Sequence, residues 1–115
     1  MNKIQEVLSH LLEKYSTAKG AMFFSMDLPT EESVGEHTDF LELYKDIPMM
    51  SVDENFKTTF NYINTEKGSI VIFFVNNLHF VSIFVDEQNP NKALATRTFE
   101  SIKPSLELAI ASLYE

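Results

Sequence analysis

Residues 69–86 carry two runs of β-branched and aromatic side chains on either side of a pair of asparagines. This pattern predicts a β-hairpin, because asparagine tolerates the left-handed backbone that a tight turn requires. A two-residue loop formed by Asn76 and Asn77 would place Phe73 opposite Phe80. Both faces of such a hairpin are apolar, so other parts of the chain must cover both of them.

Helical periodicity marks both ends of the chain. Residues 2–18 predict an amphipathic helix with one apolar stripe, and Gly20 stands where a C-terminal glycine is common. From residue 91 to the end, a second stripe keeps its phase across Pro104, which predicts one bent helix rather than two. The first stripe consists of Ile4, Val7, Leu8, Leu11, Leu12 and Tyr15.

Between the N-terminal helix and the hairpin, the pattern is less regular. Residues 20–26 are apolar at alternating positions on both faces, which predicts a short buried strand. Residues 27–37 are the most polar stretch of the chain and predict a loop, with a short edge strand as the alternative.

The central segment allows two interpretations. Residues 38–47 favour a short helix with Thr38 as its N-cap and Pro48 as its end, although residues 40–44 also alternate like a strand. A capping-box pattern that starts at Ser51 would begin one further helical turn.

Residues 57–64 precede the hairpin and are also ambiguous. Phe56, Phe60 and Ile63 recur at helical spacing, whereas the aromatic and β-branched content favours a strand. The polar turn at residues 65–68 ends in glycine and connects this run directly to the hairpin. We therefore predict a meander of three strands.

The order of these elements predicts a single α+β domain over residues 1–115. Its antiparallel sheet would have four to five strands, with the terminal helices on one face and a short central helix on the other. A helix of about ten residues spans about 15 Å, which is little for one side of a sheet. We therefore expect apolar sheet surface to remain uncovered on the central-helix face, which favours self-association.

Composition narrows the choice of partner and compartment. The formal net charge is −8, and the nine Lys and Arg residues are scattered, so nucleic acid and anionic membranes are not expected partners. The chain has no cysteine, which excludes disulfides and thiolate sites and is typical of a reducing compartment. With no signal-peptide pattern and no apolar run of membrane-spanning length, we predict a cytoplasmic protein without membrane insertion.

Candidate catalytic chemistry is sparse. The acidic segment offers Glu36, His37 and Asp39 as a conceivable metal site, but no second histidine follows at helical spacing. His10, His37 and His79 fall on a predicted helix, loop and strand, and their spacing does not bring them together. We therefore predict that the protein is not an enzyme and has no catalytic residue, cofactor or metal.

The predicted order is helix, strand, variable segment, short helix, three-strand meander and long helix. It resembles that of the Roadblock/LC7 family, which has a profilin-like architecture with a helix, two strands, a helix, three strands and a final helix. Residues 25–29, Ser-Met-Asp-Leu-Pro, resemble the turn after the first strand of that family, without its glycine. Residues 64–68, Asn-Thr-Glu-Lys-Gly, resemble the polar turn of its meander, and residues 69–75 resemble the apolar strand that follows.

The resemblance implies a non-enzymatic module that forms homodimers or heterodimers and docks on small Ras-like GTPases or on motor and scaffold complexes. Dimers of the family pair their central helices and extend the sheet, so the run at residues 57–64 would be the pairing edge. The implied interface residues are Phe40, Leu41, Tyr44, Phe60 and Tyr62. The alternative function is a small-ligand sensor whose apolar cavity is lined by phenylalanine and methionine.

Overall fold

The computed structural model describes residues 1–50, 53–58 and 60–115, which form one five-stranded antiparallel sheet with helices on both faces. The strand order is β2-β1-β5-β4-β3, so β2 and β3 are the edges. This confirms the predicted α+β architecture. The elements are α1 (Lys3–Lys14), β1 (Ala18–Ser25), β2 (Glu31–Gly35), α2 (Thr38–Leu43), α3 (Asp46–Met50), α4 (Glu54–Thr58), β3 (Asn61–Asn64), β4 (Ser69–Phe74), β5 (His79–Val85) and α5 (Lys92–Ser112).

The two terminal helices lie together on one face of the sheet, as predicted. Asn2 begins α1 with a capping box that it shares with Gln5, and Asn91 begins α5 by accepting a hydrogen bond from the backbone of Leu94. Helix α5 continues through Pro104 as a single element. The helices contribute Ile4, Leu8, Leu11, Ala95, Phe99, Ile102, Leu106, Ala109 and Ile110 to the core of this face.

The N-terminal helix is shorter than predicted. It ends at Lys14 because Ala18 already pairs with Val85 in the sheet. Gly20 therefore lies inside β1 rather than at the helix terminus. A Cβ atom at that position would lie 1.8 Å from the backbone oxygen of Glu36, so glycine is required for the close approach of the neighbouring strand. That neighbour, β2, is the edge strand that the sequence had left as an alternative to a loop.

The central hairpin forms in a register one residue away from the predicted one. Phe80 pairs with Phe74, not with Phe73, so the loop comprises the three residues 76–78. Because side chains alternate along a strand, this shift changes which β4 side chains share a face with each β5 side chain. Phe80 consequently lies on the face of the central helices, and Phe73 lies on the face of the terminal helices.

The additional loop residue has a local cause in Asn76. Its side-chain oxygen accepts hydrogen bonds from the backbone N–H groups of Leu78, at 2.8 Å, and His79, at 3.0 Å. An asparagine that bonds to the backbone two residues ahead forms a turn of its own. This turn moves the start of β5 to His79.

The central segment is divided into short helices rather than the one predicted helix. Thr38 is the first residue of α2 and not its cap, since His37 precedes the helix in a left-handed conformation with a φ of 63°. Pro48 lies in the first turn of α3, where the missing N–H has no intrahelical partner to lose. The predicted capping box at Ser51 lies outside the described residues.

The predicted strand at residues 57–64 is correct only in its second half. Lys57 and Thr58 belong to α4, and β3 begins at Asn61. The helical signal therefore applies to the start of this run, up to Thr58, and the strand signal applies to its end, from Asn61. The turn at residues 65–68 and the three-strand meander are confirmed by the pairing of β3 with β4 and of β4 with β5.

The predicted shortage of cover on the central-helix face is limited to its β3 side. On that face Phe24, Ile70, Ile72, Phe80 and Phe84 are almost completely buried, whereas Ile63 and Phe74 are half-buried. The terminal-helix face has a similar strip, where Phe60 and Phe73 are half-buried and Tyr62 is 40% exposed.

Candidate protein interface

Helices α2 and α3 expose large apolar side chains on their outer side. Leu43 is 74% exposed, Ile47 is 47% exposed and Met50 is 79% exposed. Single exposed apolar residues are common on protein surfaces, but three within eight residues of chain form a concentrated apolar surface. We call Leu43, Ile47 and Met50 the outer helical surface.

The inner side of α2 is anchored on the sheet. Leu41 is completely buried, and Phe40 and Tyr44 are half-buried. The ring of Phe40 contacts the ring of Phe84 edge-on, with centroids 5.9 Å apart, and lies 5.2 Å from the ring of Tyr44. These contacts hold the backbone of α2 in place and thereby determine the position of Leu43.

An ion pair also holds this segment against β2. The ammonium group of Lys45 lies 2.8 Å from the carboxylate of Glu31 on β2 and 3.4 Å from that of Glu42. The hydrogen bond to Glu31 is the main reason why the pKa of Lys45 is raised above its ordinary value. The linker between α2 and α3 is thus attached to the edge of the sheet.

The two edges of the sheet differ in charge. Edge strand β2 begins with Glu31 and Glu32, and charged residues on an edge discourage another strand from pairing there. Edge strand β3 reads Asn-Tyr-Ile-Asn and has no charged residue. Of the two edges, β3 is therefore the one suited to strand pairing with another chain.

The aromatic side chains beside β3 form a small cluster. The ring of Phe60 lies 5.6 Å from that of Tyr62 and 6.0 Å from that of Phe73. The hydroxyl of Tyr62 donates a hydrogen bond of 3.4 Å to the side-chain oxygen of Asn89, which also accepts one of 2.8 Å from Asn64. These bonds connect the edge strand to the loop between β5 and α5.

The sequence-predicted interface residues therefore fall into two groups. Phe40, Leu41 and Tyr44 lie on the central-helix face, whereas Phe60 and Tyr62 lie beside β3 on the terminal-helix face. Leu41 is oriented into the protein core.

Sequence reasoning missed Leu43, Ile47 and Met50 as interface candidates. Leu43 lies three residues after Phe40 and four before Ile47, so helical spacing places it on the apolar side of the predicted helix. The pattern therefore gave no signal that Leu43 would be exposed.

A buried histidine connects the C-terminal residues to the end of the hairpin. His79 is 2% exposed and stacks on Phe23 with ring centroids 5.7 Å apart. Its Nδ1 lies 2.9 Å from the side-chain oxygen of Asn76, and its Nε2 lies 2.9 Å from the hydroxyl of Tyr114. That hydroxyl also lies 2.9 Å from the carboxylate of Asp27. Sequence reasoning had interpreted His79 only as a ring that covers the end of the hairpin.

The described residues contain neither a metal cluster nor a membrane-spanning helix. Within the described parts of the chain, no three His, Asp or Glu side chains are grouped so that they could hold a metal ion. His37 instead packs its ring against Phe84, with centroids 4.4 Å apart. No helix among the described residues is long and apolar enough to cross a membrane.

Comparison with known proteins finds similarity in structure but not in sequence. No family model and no curated protein sequence matches the chain. Among solved structures, MglB of Myxococcus xanthus has a TM-score of 0.66 at 14% identity over 96% of this chain and 90% of that one. MglC of Myxococcus xanthus has a TM-score of 0.63 at 13% identity, covering 90% and 96%.

A Roadblock/LC7 domain from Streptomyces avermitillis is similar as well. Its TM-score is 0.56 at 11% identity over 90% of this chain and 98% of that domain. At this level of identity the comparison concerns architecture alone, and it confirms the structural resemblance to Roadblock/LC7 domains.

Proposed function

We propose that this chain is a non-enzymatic protein-interaction module that forms a homodimer through the β3 edge and the outer helical surface. The observation that carries this proposal is the uncharged edge strand β3, Asn61–Asn64, on a fold of Roadblock/LC7 type. An edge strand without charged residues can add the same strand of a second copy to its sheet across a two-fold axis.

The size of the required interface is compatible with these surfaces. A standard specific interface buries about 1,600 Å² in total, or about 800 Å² on each partner. The chain has an accessible surface of 6259 Å², so about an eighth of it would be covered in a dimer. Leu43 and Met50 would supply apolar contacts and Tyr62 an aromatic one, and Met and Tyr are residue types enriched at interfaces.

The proposed partner of the dimer is a small Ras-like GTPase or a motor or scaffold complex, as the family resemblance implies. No cluster of side chains that could hold a metal ion is found among the described residues, but this finding does not by itself support a binding role. The proposal therefore rests on the surface and on the fold.

Light scattering after size-exclusion chromatography tests the dimer. At about 50 μM we expect the wild-type chain to have the mass of two copies, and Leu43→Glu or Tyr62→Glu to have the mass of one, because a charge buried at an interface costs several kcal/mol. Leu108→Glu is the matched control, since Leu108 on α5 is also 74% exposed. A wild-type chain that remains monomeric under these conditions would exclude the proposed dimer.

Binding to immobilised GTPases tests the partner class separately. We expect saturable binding to one of a panel of small Ras-like GTPases from the source organism, loaded with GDP or with a non-hydrolysable GTP analogue. Leu43→Glu should weaken this binding and Leu108→Glu should not. If no GTPase binds while the chain is dimeric, the GTPase assignment is wrong and the interaction module stands.

A further inference from the structure

A groove of about 510 Å³ runs between α5, the end of α4 and the hairpin end of β4. It reaches the face of the terminal helices at Phe60 and Phe73, which those helices leave half-buried. A single copy of the chain supplies all of its lining residues.

The floor of the groove is aromatic. Phe73 on β4 and Phe99 on α5 stack almost in parallel, with ring centroids 4.5 Å apart and an interplanar angle of 5°. Phe60 extends this floor and lies 6.0 Å from Phe73. Phe60 and Phe73 are only half-buried, so an incoming apolar side chain can cover them.

The rim of the groove is basic, although the chain as a whole is acidic. Lys57, Lys92 and Lys103 line it, which is three of the nine Lys and Arg residues, together with Glu100, which is one of the 17 Asp and Glu residues. Within the described residues, the ion pairs closer than 4.0 Å are those of Lys45, so these three lysines have no carboxylate at that distance. The charge of the groove is therefore available to a ligand of opposite sign.

The spacing of the lysines indicates the size of the ligand. Lys92 and Lys103 are eleven residues apart on one helix, which corresponds to about 16 Å along its axis. Lys57 stands at the hairpin end of the groove, where its ammonium group donates a hydrogen bond of 3.5 Å to the backbone oxygen of Asn77. An extended chain of about five residues spans this distance, whereas a small metabolite would contact only one end.

We propose that this groove binds an extended acidic segment of a partner protein. Carboxylates of the segment pair with Lys57, Lys92 and Lys103, and an aromatic side chain between them packs on Phe60 and Phe73. The three lysines favour an acidic ligand, and the distance of about 16 Å between Lys92 and Lys103 favours an extended peptide over a small molecule.

Fluorescence anisotropy with a labelled peptide tests this proposal. The probe is a fluorescein-labelled peptide of about seven residues with glutamates on both sides of one phenylalanine, and its control has glutamine in place of each glutamate. We expect saturable binding of the acidic peptide, about tenfold weaker binding of the control, and weaker binding of the acidic peptide as salt rises from about 50 to about 300 mM.

Two triple variants show whether the groove is the site. Replacing Lys57, Lys92 and Lys103 with glutamine should weaken binding about tenfold. Replacing Lys3, Lys19 and Arg97 with glutamine makes the same change in net charge at exposed positions that do not line the groove, and should leave binding unchanged within about twofold.

The proposal is overturned by any of three outcomes. These are the absence of saturable binding up to about 1 mM protein, equal binding of both peptides, and equal loss of affinity in both triple variants. Binding of the peptide to a variant that light scattering shows to be monomeric would still support the groove, so its outcome is separate from that of the dimer.

Discussion

Asn76 determines, through one side-chain oxygen, how strands β4 and β5 pair. That oxygen accepts two backbone hydrogen bonds and lies 2.9 Å from Nδ1 of His79. Because an amide oxygen can only accept, Nδ1 of His79 must carry a proton and donate it. Asn77, the next residue, is also exposed but contributes only its backbone oxygen to the described contacts, through Lys57.

This difference makes the two asparagines a matched pair for mutation. Asn76→Ala should lower the free energy of unfolding by about 1–3 kcal/mol, since it removes the acceptor of several hydrogen bonds. Asn77→Ala should lower it by less than about 0.5 kcal/mol, as is usual for surface substitutions. Urea unfolding followed by circular dichroism measures both values, and equal losses would show that Asn76 does not determine the loop.

His79 makes stability depend on pH. Burial lowers the pKa of His79 below its ordinary value near 6.5, and the carboxylate of Asp27 opposes this effect only in part. The unfolded chain therefore binds this proton more readily than the folded chain does. The stability that the neutral ring contributes is complete above pH 6.5 and is lost as the pH falls through 6.5 towards the lower pKa of the folded state.

Unfolding at two pH values tests this assignment. Between about pH 7.5 and about pH 5 the free energy of unfolding should fall less in His79→Gln than in the wild-type chain. His10→Gln, which replaces an exposed histidine on α1, should keep the wild-type difference. Identical pH dependence in all three proteins would contradict a neutral, buried His79.

At the scale of elements, α2 has one side in the core and another in solvent. Leu41 and Leu43 are two residues apart and are 0% and 74% exposed. The helix has only six residues and would not be stable alone, so its position depends on contacts such as those of Leu41 with the sheet.

Alanine substitutions at these two leucines should separate stability from association. Leu41→Ala should lower the free energy of unfolding by about 2–5 kcal/mol, because it leaves a cavity in the core. Leu43→Ala should change it by less than about 0.5 kcal/mol in the monomeric state but weaken self-association. Chemical unfolding and light scattering on the same samples provide both readouts, and a large stability loss in Leu43→Ala would place it in the core.

The elements also show which features the sequence can predict. The terminal helices were predicted because their periodicity extends over many residues, and β4 and β5 because two β-branched and aromatic runs flank a turn signal. The hairpin register was not, because the bonds of Asn76 lengthen the loop without changing the hydrophobic pattern. The separation of α2, α3 and α4 in the described part of the central segment was also missed, since each helix is too short for a period to be recognised and depends on tertiary contacts.

The interface residues that the family resemblance implies stay a prediction. The resemblance also implied that the run before the hairpin would be the pairing edge, and β3 is an edge strand of the sheet. Whether Leu41 or Leu43 is exposed depends on the rotation of α2 about its axis, which is set by contacts such as that of Phe40 with Phe84. Contacts between residues so distant in the chain have no signature in a local pattern.

At the scale of the whole molecule, net charge and assembly act against each other. Each copy carries a formal charge of −8, so two copies repel one another over about a Debye length, which is about 10 Å at 0.1 M salt. Salt screens this repulsion and strengthens apolar association. Added salt should therefore favour the proposed dimer and disfavour the proposed acidic peptide in the groove.

Sedimentation equilibrium at several salt concentrations tests this contrast. The dimer dissociation constant should fall when sodium chloride is raised from about 50 to about 500 mM. The peptide dissociation constant of the lysine groove should rise over the same range. A dimer that weakens with added salt would indicate that ion pairs, rather than the outer helical surface, hold it together.

The unequal charge of the sheet's two edges has a consequence for how large an assembly can grow. If the chain pairs only through β3, a dimer has no free edge left for a third copy, because each β3 is paired and each β2 carries glutamates. Growth then stops at a closed pair. Were both edges neutral, the same pairing could be repeated indefinitely, and the product would be a fibre.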